Sequence, residues 1–354
     1  MKTGLFERVF ERRADVVRAT PGRVNLIGSH TDYNGGMVLP VALPIGTEVA
    51  VAVTETPLIR IFSSKFEEVV SYSFTDKARG HWADYAAGAV ITARKRGLVS
   101  RGVDVAIEAN LPAGAGISSS ASVIVGVLKA LRRLGDAALS ETEIAQLARE
   151  VENAFIGLPC GIMDQMAVAV GRTDCAMALD TGTLAYELVP LPPDLRVCVI
   201  HSGIDRALSD GRYARRAEEC LEASAAFGHR PLCQLRRSQI EALTDLPETL
   251  RRRARHCSAE HQRVLSAIGA LKAGQLETFG RLISASHASL RDDFEISLPD
   301  IDDLVSDAVA LGALGARLTG GGFGGCIVAC IKPDRFEAWI SALLSRHPRA
   351  RLIC

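Results

Sequence analysis

Five glycines in six positions, Gly320-Gly321-Gly322-Phe323-Gly324-Gly325, stand between two short apolar runs at 315–319 and 326–331. A hairpin turn between two strands needs only one or two glycines, and each further one costs backbone entropy. A tight hairpin accounts for part of this run. The excess points to another backbone or a ligand packed closely against the loop. Short runs rich in Val, Ile and Phe at 15–19, 23–27, 48–53, 59–63, 68–74, 103–109 and 195–201 also read as strands. Helical spacing of apolar residues marks 82–96, which ends at Gly97, and then 118–134 and 141–156. Further helical patterns run over 210–226, 247–272, 275–290, 300–312 and 334–346, followed by a short terminal strand. Strands and helices mix without regular alternation, so the expected class is α+β and not a doubly wound parallel sheet. There is no internal repeat.

The chain has 354 residues, long for a single core, and 48% of them are hydrophobic. Two domains are expected, 1–189 and 190–354, divided at Pro190-Leu191-Pro192-Pro193, which breaks both helix and strand. Lys plus Arg and Asp plus Glu each number 41. A neutral chain has no long-range field to gather nucleic acid or an anionic membrane, so neither partner is expected. The run Arg251, Arg252, Arg253, Arg255 reads as a solvated helix face. Nine cysteines without a CxxC pair suit reduced thiols in a cytoplasm. Residues 1–13 are charged throughout, unlike a signal peptide, and no apolar run is long enough to span a membrane. The expectation is a soluble cytoplasmic monomer acting on small molecules.

Residues 111–121, Leu-Pro-Ala-Gly-Ala-Gly-Ile-Ser-Ser-Ser-Ala, join a strand to a helix. Gly114 and Gly116 permit a sharp turn and close approach to a ligand. Ser118, Ser119 and Ser120 then open the helix, whose free N–H groups and dipole form an anion site. No lysine follows, so this is not the GxxxxGK[ST] phosphate loop. The alternative is a glycine loop with ordinary serine capping. Between 21 and 36, Arg23, Asn25, Ser29, His30, Thr31, Asp32, Tyr33 and Asn34 crowd the end of a strand. Such density suits a polyhydroxy ligand, each hydroxyl needing donors and acceptors; a hydrogen-bonded surface loop is the alternative. Glu152 sits on the edge of an apolar stripe and needs a partner, either magnesium or an arginine. Asp164, in Cys-Gly-Ile-Met-Asp-Gln (160–165), is an acid among apolar residues, either paired or catalytic.

Together these segments resemble the GHMP small-molecule kinases, and the galactokinase family among them. The resemblance rests on Gly-Arg-Val-Asn-Leu-Ile-Gly-Ser-His-Thr-Asp-Tyr-Asn-Gly-Gly (22–36), Gly-Ala-Gly-Ile-Ser-Ser-Ser-Ala (114–121) and Gly-Gly-Gly-Phe-Gly-Gly (320–325). Glu152-Asn153, the 160–165 segment and Trp82-Ala-Asp-Tyr85 also fit, in family order. It implies a two-domain GHMP kinase fold with the active site in the cleft between the domains, shaped in part by the third glycine motif. It implies ATP as phosphoryl donor and transfer to the anomeric hydroxyl of galactose, the first step of galactose use. Asp164 is then the general base for the C1 hydroxyl, with Arg23 against it and against the transferring group, where a guanidinium stabilises developing charge. An ionised aspartate is a weak base, so proton transfer is expected late and catalysis mainly by positioning. By the same resemblance Ser120 and Glu152 hold Mg2+, and Gly114, Ala115, Gly116, Ile117, Ser118, Ser119 and Ser120 cradle the phosphates. Ser29, His30, Thr31, Asp32, Gly161 and Tyr213 face the sugar.

One position departs from the family pattern: Ser29 stands where galactokinases usually have Glu, which is expected to accept a hydrogen bond from the C6 hydroxyl. Galactose remains accommodated if water fills the gap. A C6 carboxylate, as in galacturonate, would escape repulsion, and a pentose such as arabinose lacks the group. Losing one charge-assisted bond costs about 1.5–3 kcal/mol. A kinase for a related sugar is therefore one alternative. A non-catalytic sugar sensor is another, disfavoured because Ser118, Ser119, Ser120, Arg23, Glu152 and Asp164 are all present.

Overall fold

The computed structural model describes residues 4–112, 115–205 and 211–354. In chain order the first elements are α1 (Gly4–Phe10), β1 (Val16–Asn25), β2 (Met37–Val38), β3 (Pro40–Thr54), β4 (Ile59–Ser63), β5 (Glu68–Tyr72), α2 (Asp84–Lys95), β6 (Gly102–Ala109) and α3 (Ser119–Leu134). Next come α4 (Glu141–Glu150), a π-helical turn (Val151–Ile156), α5 (Met163–Val170), β7 (Cys175–Asp180), β8 (Tyr186–Pro190) and β9 (Arg196–His201). The rest are α6 (Arg212–Ala226), α7 (Arg237–Ala242), α8 (Glu248–Lys272), α9 (Leu276–Asp292), α10 (Pro299–Ala310), β10 (Gly315–Leu318), β11 (Cys326–Ile331), α11 (Phe336–Arg346) and β12 (Arg351–Leu352). No helix of the described residues is long and apolar enough to cross a membrane. The α+β class holds: β4 pairs parallel with β6, whereas β10–β11, β11–β9, β12–β9, β2–β7, β3–β6, β3–β7, β4–β5 and β7–β8 pair antiparallel.

The chain divides into two units, one of Met1–Arg23, Leu43–Pro112 and Ser118–Val170, the other of Val24–Ala42, Ala113–Ile117 and Gly171–Cys354. In the first, β1 pairs with β3, and the path continues through β6 and β4 to β5. The two runs expected at 15–19 and 23–27 merge into the single strand β1 despite Pro21. Proline donates no ladder hydrogen bond, and among the described residues β1 pairs only with β3, so an edge strand accommodates it. On one sheet face α1 buries Phe6 and Phe10 against Ala50, Ala52 and Ala106. There Asp104, 0% exposed, accepts from Nε and Nη2 of Arg60, each at 2.7 Å. Helix α3 sits close to strand β1 because small residues let it. Gly126 faces Val49, and Thr20 Oγ1 donates to Ser122 O at 2.8 Å while Ser122 Oγ donates to Thr20 O at 3.1 Å. That pair of bonds ties the strand that carries Arg23 to the helix beginning at Ser119.

In the second unit β2, β7 and β8 form antiparallel pairs. A separate antiparallel sheet, β10-β11-β9-β12, packs with α6–α11 around a core that includes Ile200, Ile240, Phe294, Leu318, Ile327 and Leu343. The glycine run is both things the sequence allows. It closes the β10–β11 hairpin, and a second stretch of chain lies against it. Phe323 N–H donates to Ile296 O and Gly325 N–H to Ile204 O, each at 2.8 Å. A Cβ on Gly322, whose φ is +87°, would stand 2.6 Å from Ile296 Cβ. The arginine run needs correction. Arg253 is not solvated: it is 1% exposed, donates to Glu219 Oε2 at 2.7 Å and Glu295 Oε2 at 2.8 Å, and lies beside Phe294. Its neighbours Arg251, Arg252 and Arg255 pair with Glu248, Glu295 and Glu241. Seven of the nine cysteines are buried, and all nine are free thiols.

Candidate active site

Strand β1 delivers Arg23, and the first turn of α5 delivers Asp164. Arg23 is 5% exposed and grips Asp164 with two bonds, Nε to Oδ1 at 2.8 Å and Nη2 to Oδ2 at 2.6 Å. Ser118 Oγ adds a third, to Oδ2, at 2.7 Å. The Asp164 side chain is still 31% exposed, so a fixed carboxylate stays open to an incoming group. Ser118 is the N-cap of α3 with φ 62° and ψ 45°, and its side chain makes no capping bond. The serine hydroxyl is spent on Asp164, which leaves the first-turn N–H groups of α3 available to an anion. Ordinary serine capping is therefore not what Ser118 does.

Glu152 sits in the π-helical turn, held down where Gly88 lets α2 approach Val151 and Phe155. Such turns recur at functional sites. Glu152 is 7% exposed, and its Oε2 is met by Gln165 Nε2 and, at 3.4 Å, by Cys160 Sγ. Burial pushes its carboxyl above the usual range, and the nearby Asp164 charge adds to this. Hydrogen bonds from Ser120, Cys160 and Gln165 work the other way. All three partners are neutral; the arginine considered from sequence is not among them. Gly161 is buried in the loop before α5. Among the described residues no group of three or more His, Cys, Asp or Glu has metal-binding geometry.

The 28–36 turn belongs to the second unit. Gly28 has φ +96°, and a Cβ there would meet Met37 O at 2.7 Å, so the turn requires glycine. Thr31 Oγ1 donates to Gly28 O at 2.9 Å and Met37 O at 2.8 Å, so its side chain closes the turn on itself. His30, at φ 61°, shares a 2.7 Å bond with Tyr33 Oη. Its ring centroid lies 4.5 Å from that of Phe294 and 5.5 Å from that of Tyr213, both rings tilted against it, and α6 presents Tyr213 in its first turn. Asp32 is half-buried beside them. Ser29 is 3% exposed, and its Oγ receives a hydrogen bond from Arg317 Nη2. Of the glycine loop, Gly114 lies outside the described residues. Ala115 and Ile117 are buried in this second unit with Gly116 at φ +74° between them, whereas Ser118, Ser119 and Ser120 belong to the first.

Sequence reasoning missed the buried groups behind the turn: Glu260, His256 and Arg317. His256 donates through Nε2 to Ser29 O at 3.1 Å, since a carbonyl only accepts, which leaves Nδ1 for Ser289 Oγ at 2.9 Å. Burial lowers His256 to about 4, and the Arg263 charge adds to this. An unfolded histidine titrates near 6.5. The stability this neutral ring contributes is therefore complete above pH 6.5 and lost as pH falls from 6.5 through 4. Glu260, held at about 2 by Arg263 and Arg317 against the cost of burial, adds loss only below the ordinary glutamate range. Melting temperature is expected to fall on the order of 5 °C between pH 6.5 and 4. His256→Gln should flatten that portion of the curve; an unchanged slope would exonerate His256.

Three family models match the chain: the galactokinase galactose-binding signature over residues 4–53, the GHMP kinases N terminal domain over 82–172 and the GHMP kinases C terminal domain over 267–349. A galactokinase of Roseiflexus sp. (strain RS-1) is 41% identical over 343 residues, 94% of this chain and 88% of that protein. The crystal structure of Lactococcus lactis galactokinase complexed with galactose superimposes with a TM-score of 0.92 at 34% identity, covering 99% of this chain and 95% of that one. Methanococcus jannaschii mevalonate kinase shares the fold, with a TM-score of 0.70 at 17% identity over 96% of each chain.

Proposed function

The chain belongs to the galactokinase family, and we propose that it transfers the terminal phosphoryl group of ATP to the anomeric C1 hydroxyl of galactose, giving galactose 1-phosphate and ADP. The observation that carries this reading is the Arg23–Asp164–Ser118 cluster at the start of α3. It sets a fixed carboxylate and a guanidinium beside the helix end suited to phosphate. Asp164 accepts the proton of the C1 hydroxyl. Arg23 fixes its orientation and offsets charge on the group in transfer. Residues 114–120 cradle the phosphates. His30, Asp32 and Tyr213 hold the sugar, and Thr31 and Gly161 shape the backbone around it. As organisation, 1–189 forms the N-terminal module and 190–354 the C-terminal one. Nine free thiols fit a reducing cytoplasm, where we place a monomer.

Glu152 and Ser120 suit a hard divalent cation. Glu152 is a buried carboxylate whose partners Ser120, Cys160 and Gln165 are neutral, so its charge lacks compensation. Oxygen donors with phosphate and water completing the set are what magnesium takes. The chemistry supplied there by bound magnesium is neutralisation of charge on the phosphate oxygens. Glu152→Gln is expected to raise the magnesium concentration for half-maximal rate at least tenfold, on the order of the loss of one charged ligand contact. Rate against magnesium concentration is the measurement. An unaltered curve would take Glu152 out of the metal site.

Galactose is favoured over galacturonate or arabinose because the relatives at 41% and 34% identity are galactokinases, one of them with galactose bound. Ser29 is engaged by Arg317, which accounts for the residue at that position without a C6 carboxylate. The deciding assay presents galactose, galacturonate, arabinose and galactosamine to the purified protein with ATP and magnesium, and locates the phosphate by 31P NMR. Turnover of galactose at C1, well above the rest, is expected. Preference for another sugar would replace the substrate, and no turnover of any would leave a sensor.

A further inference from the structure

One face of α8 and one residue of β10 hold the turn that carries His30 and Asp32. His256, Glu260 and Val264 recur on α8 at four-residue spacing, so they share a face, and His261, three residues before Val264, borders it. Val264 Cγ2 lies within 3.0 Å of the Cβ position of Gly28. His261 Nδ1 accepts from Met37 N–H at 3.1 Å. Glu260 Oε1 accepts from two successive backbone groups, Gly28 N–H at 2.9 Å and Ser29 N–H at 3.4 Å, and from Ser286 Oγ at 2.6 Å. His256 takes the Ser29 carbonyl. Arg317 donates to Leu26 O at 3.2 Å and to Ser29 Oγ, and its Nη1 stands 3.9 Å from Glu260 Oε1. Both charged side chains are 0% exposed. The peptides on either side of Ser29 are thus fixed at N–H, carbonyl and side chain by groups that need not touch a ligand.

A buried ion pair is poor value as stabilisation alone, since apolar residues of similar size often do as well. What it supplies is direction. A carboxylate can accept from two adjacent N–H groups at once, which an apolar side chain cannot.

We propose that Glu260, His256 and Arg317 are positioning residues for the sugar, aiming His30 and Asp32 by fixing the peptide planes at 28–30. This rests on the assignment of that turn to sugar binding. The test measures galactose binding by calorimetry, with and without ADP, beside melting temperature and the KM for ATP. Glu260→Gln is expected to weaken galactose at least tenfold while leaving the KM for ATP within twofold. The double variant Glu260→Gln with Arg317→Met removes both buried charges. It should recover part of the melting temperature, since Arg263 still loses its 2.7 Å bond to Glu260 Oε2, without recovering galactose affinity, which a purely structural role does not predict. His256 provides a second reading on a neutral group should the charge variants fail to fold. His256→Ala should weaken galactose binding, and His256→Gln, which keeps a donor, should restore it. Folded Glu260→Gln or His256→Ala protein that binds galactose within twofold of the parent overturns the proposal. A parent that binds no galactose at all overturns the substrate reading instead, and this proposal with it.

Discussion

Asp164→Asn is expected to keep ATP and galactose binding within a few-fold of the parent and to lose about a thousandfold in kcat, the range of a positioned acid–base group. The substitution is nearly isosteric, so the expected loss comes from chemistry and not from shape. In the parent, Oδ1 accepts from Arg23 Nε, and Oδ2 accepts from both Arg23 Nη2 and Ser118 Oγ. An amide has one oxygen and one NH2 group. Whichever way it is turned, its donors face donors of Arg23 or Ser118. Arg23, 5% exposed, would also lose its counter-charge. The amide cannot take the proton of the sugar hydroxyl, and the disturbed guanidinium no longer holds its place for the transferring group. Single-turnover kinetics with separately measured nucleotide and galactose binding isolates the chemical step. A kcat within tenfold of the parent would remove Asp164 from proton transfer and leave positioning by Arg23 and the helix end as the whole of catalysis.

What the sequence allowed one to see followed the range of its signals. The strand at 59–63 and the helix at 118–134 are local patterns, and the structure has Ile59–Ser63 and Ser119–Leu134. Elements with weak local patterns escaped. Helix α5 has only eight residues, and β7, Cys-Ala-Met-Ala-Leu-Asp, lacks β-branched side chains. The 141–156 helix was seen whole, but its last six residues wind as a π-turn, which periodicity does not register. Asp164 stood out because an acid among apolar residues is anomalous wherever it packs. Its partner Ser118 is 46 residues away, and nothing in either segment announces the bond. Glu260 was invisible for a different reason. With Arg263 three residues on, it reads as one more ion pair on a charged helix, and only burial sets it apart. The run at 251–255 misled by the same route. Four arginines look like a wet face, yet Arg253 points into the core while its neighbours pair with acids at the surface. Burial is a property of the assembled unit, and charged residues give no local sign of it.

Gly315→Ala is expected to be among the most destabilising changes of a single methyl group in the second unit. Gly315 opens β10 where the strand crosses α9 at Gly280. A Cβ on Gly315 would stand 2.1 Å from Gly280 O, and one on Gly280 2.0 Å from Leu314 O. Both obstacles are backbone, so no rotamer relieves the clash, and the strand and helix must part by about 1 Å in an interior packed to crystal density. Overpacking typically costs 1–3 kcal/mol, and a backbone clash belongs at or beyond the upper end, about 3 kcal/mol. For a unit of this size the melting temperature should fall on the order of 10 °C. The effect should also reach the turn. Helix α9 carries Ser286, which donates to Glu260 at 2.6 Å, and His287, whose Nδ1 accepts from Leu318 N–H of β10 at 3.3 Å. Two residues beyond Gly315 on the same strand, Arg317 holds Ser29. Moving β10 away from α9 stretches each of these bonds together. Below its lowered melting temperature, Gly315→Ala should therefore bind galactose several-fold more weakly than the parent. Arg60→Met, in the first unit, serves as the matched control. It removes the bidentate hold on Asp104, and should lower stability without changing galactose affinity. Equal galactose affinity in the two variants would show that the crossing of α9 and β10 supports the fold and not the turn.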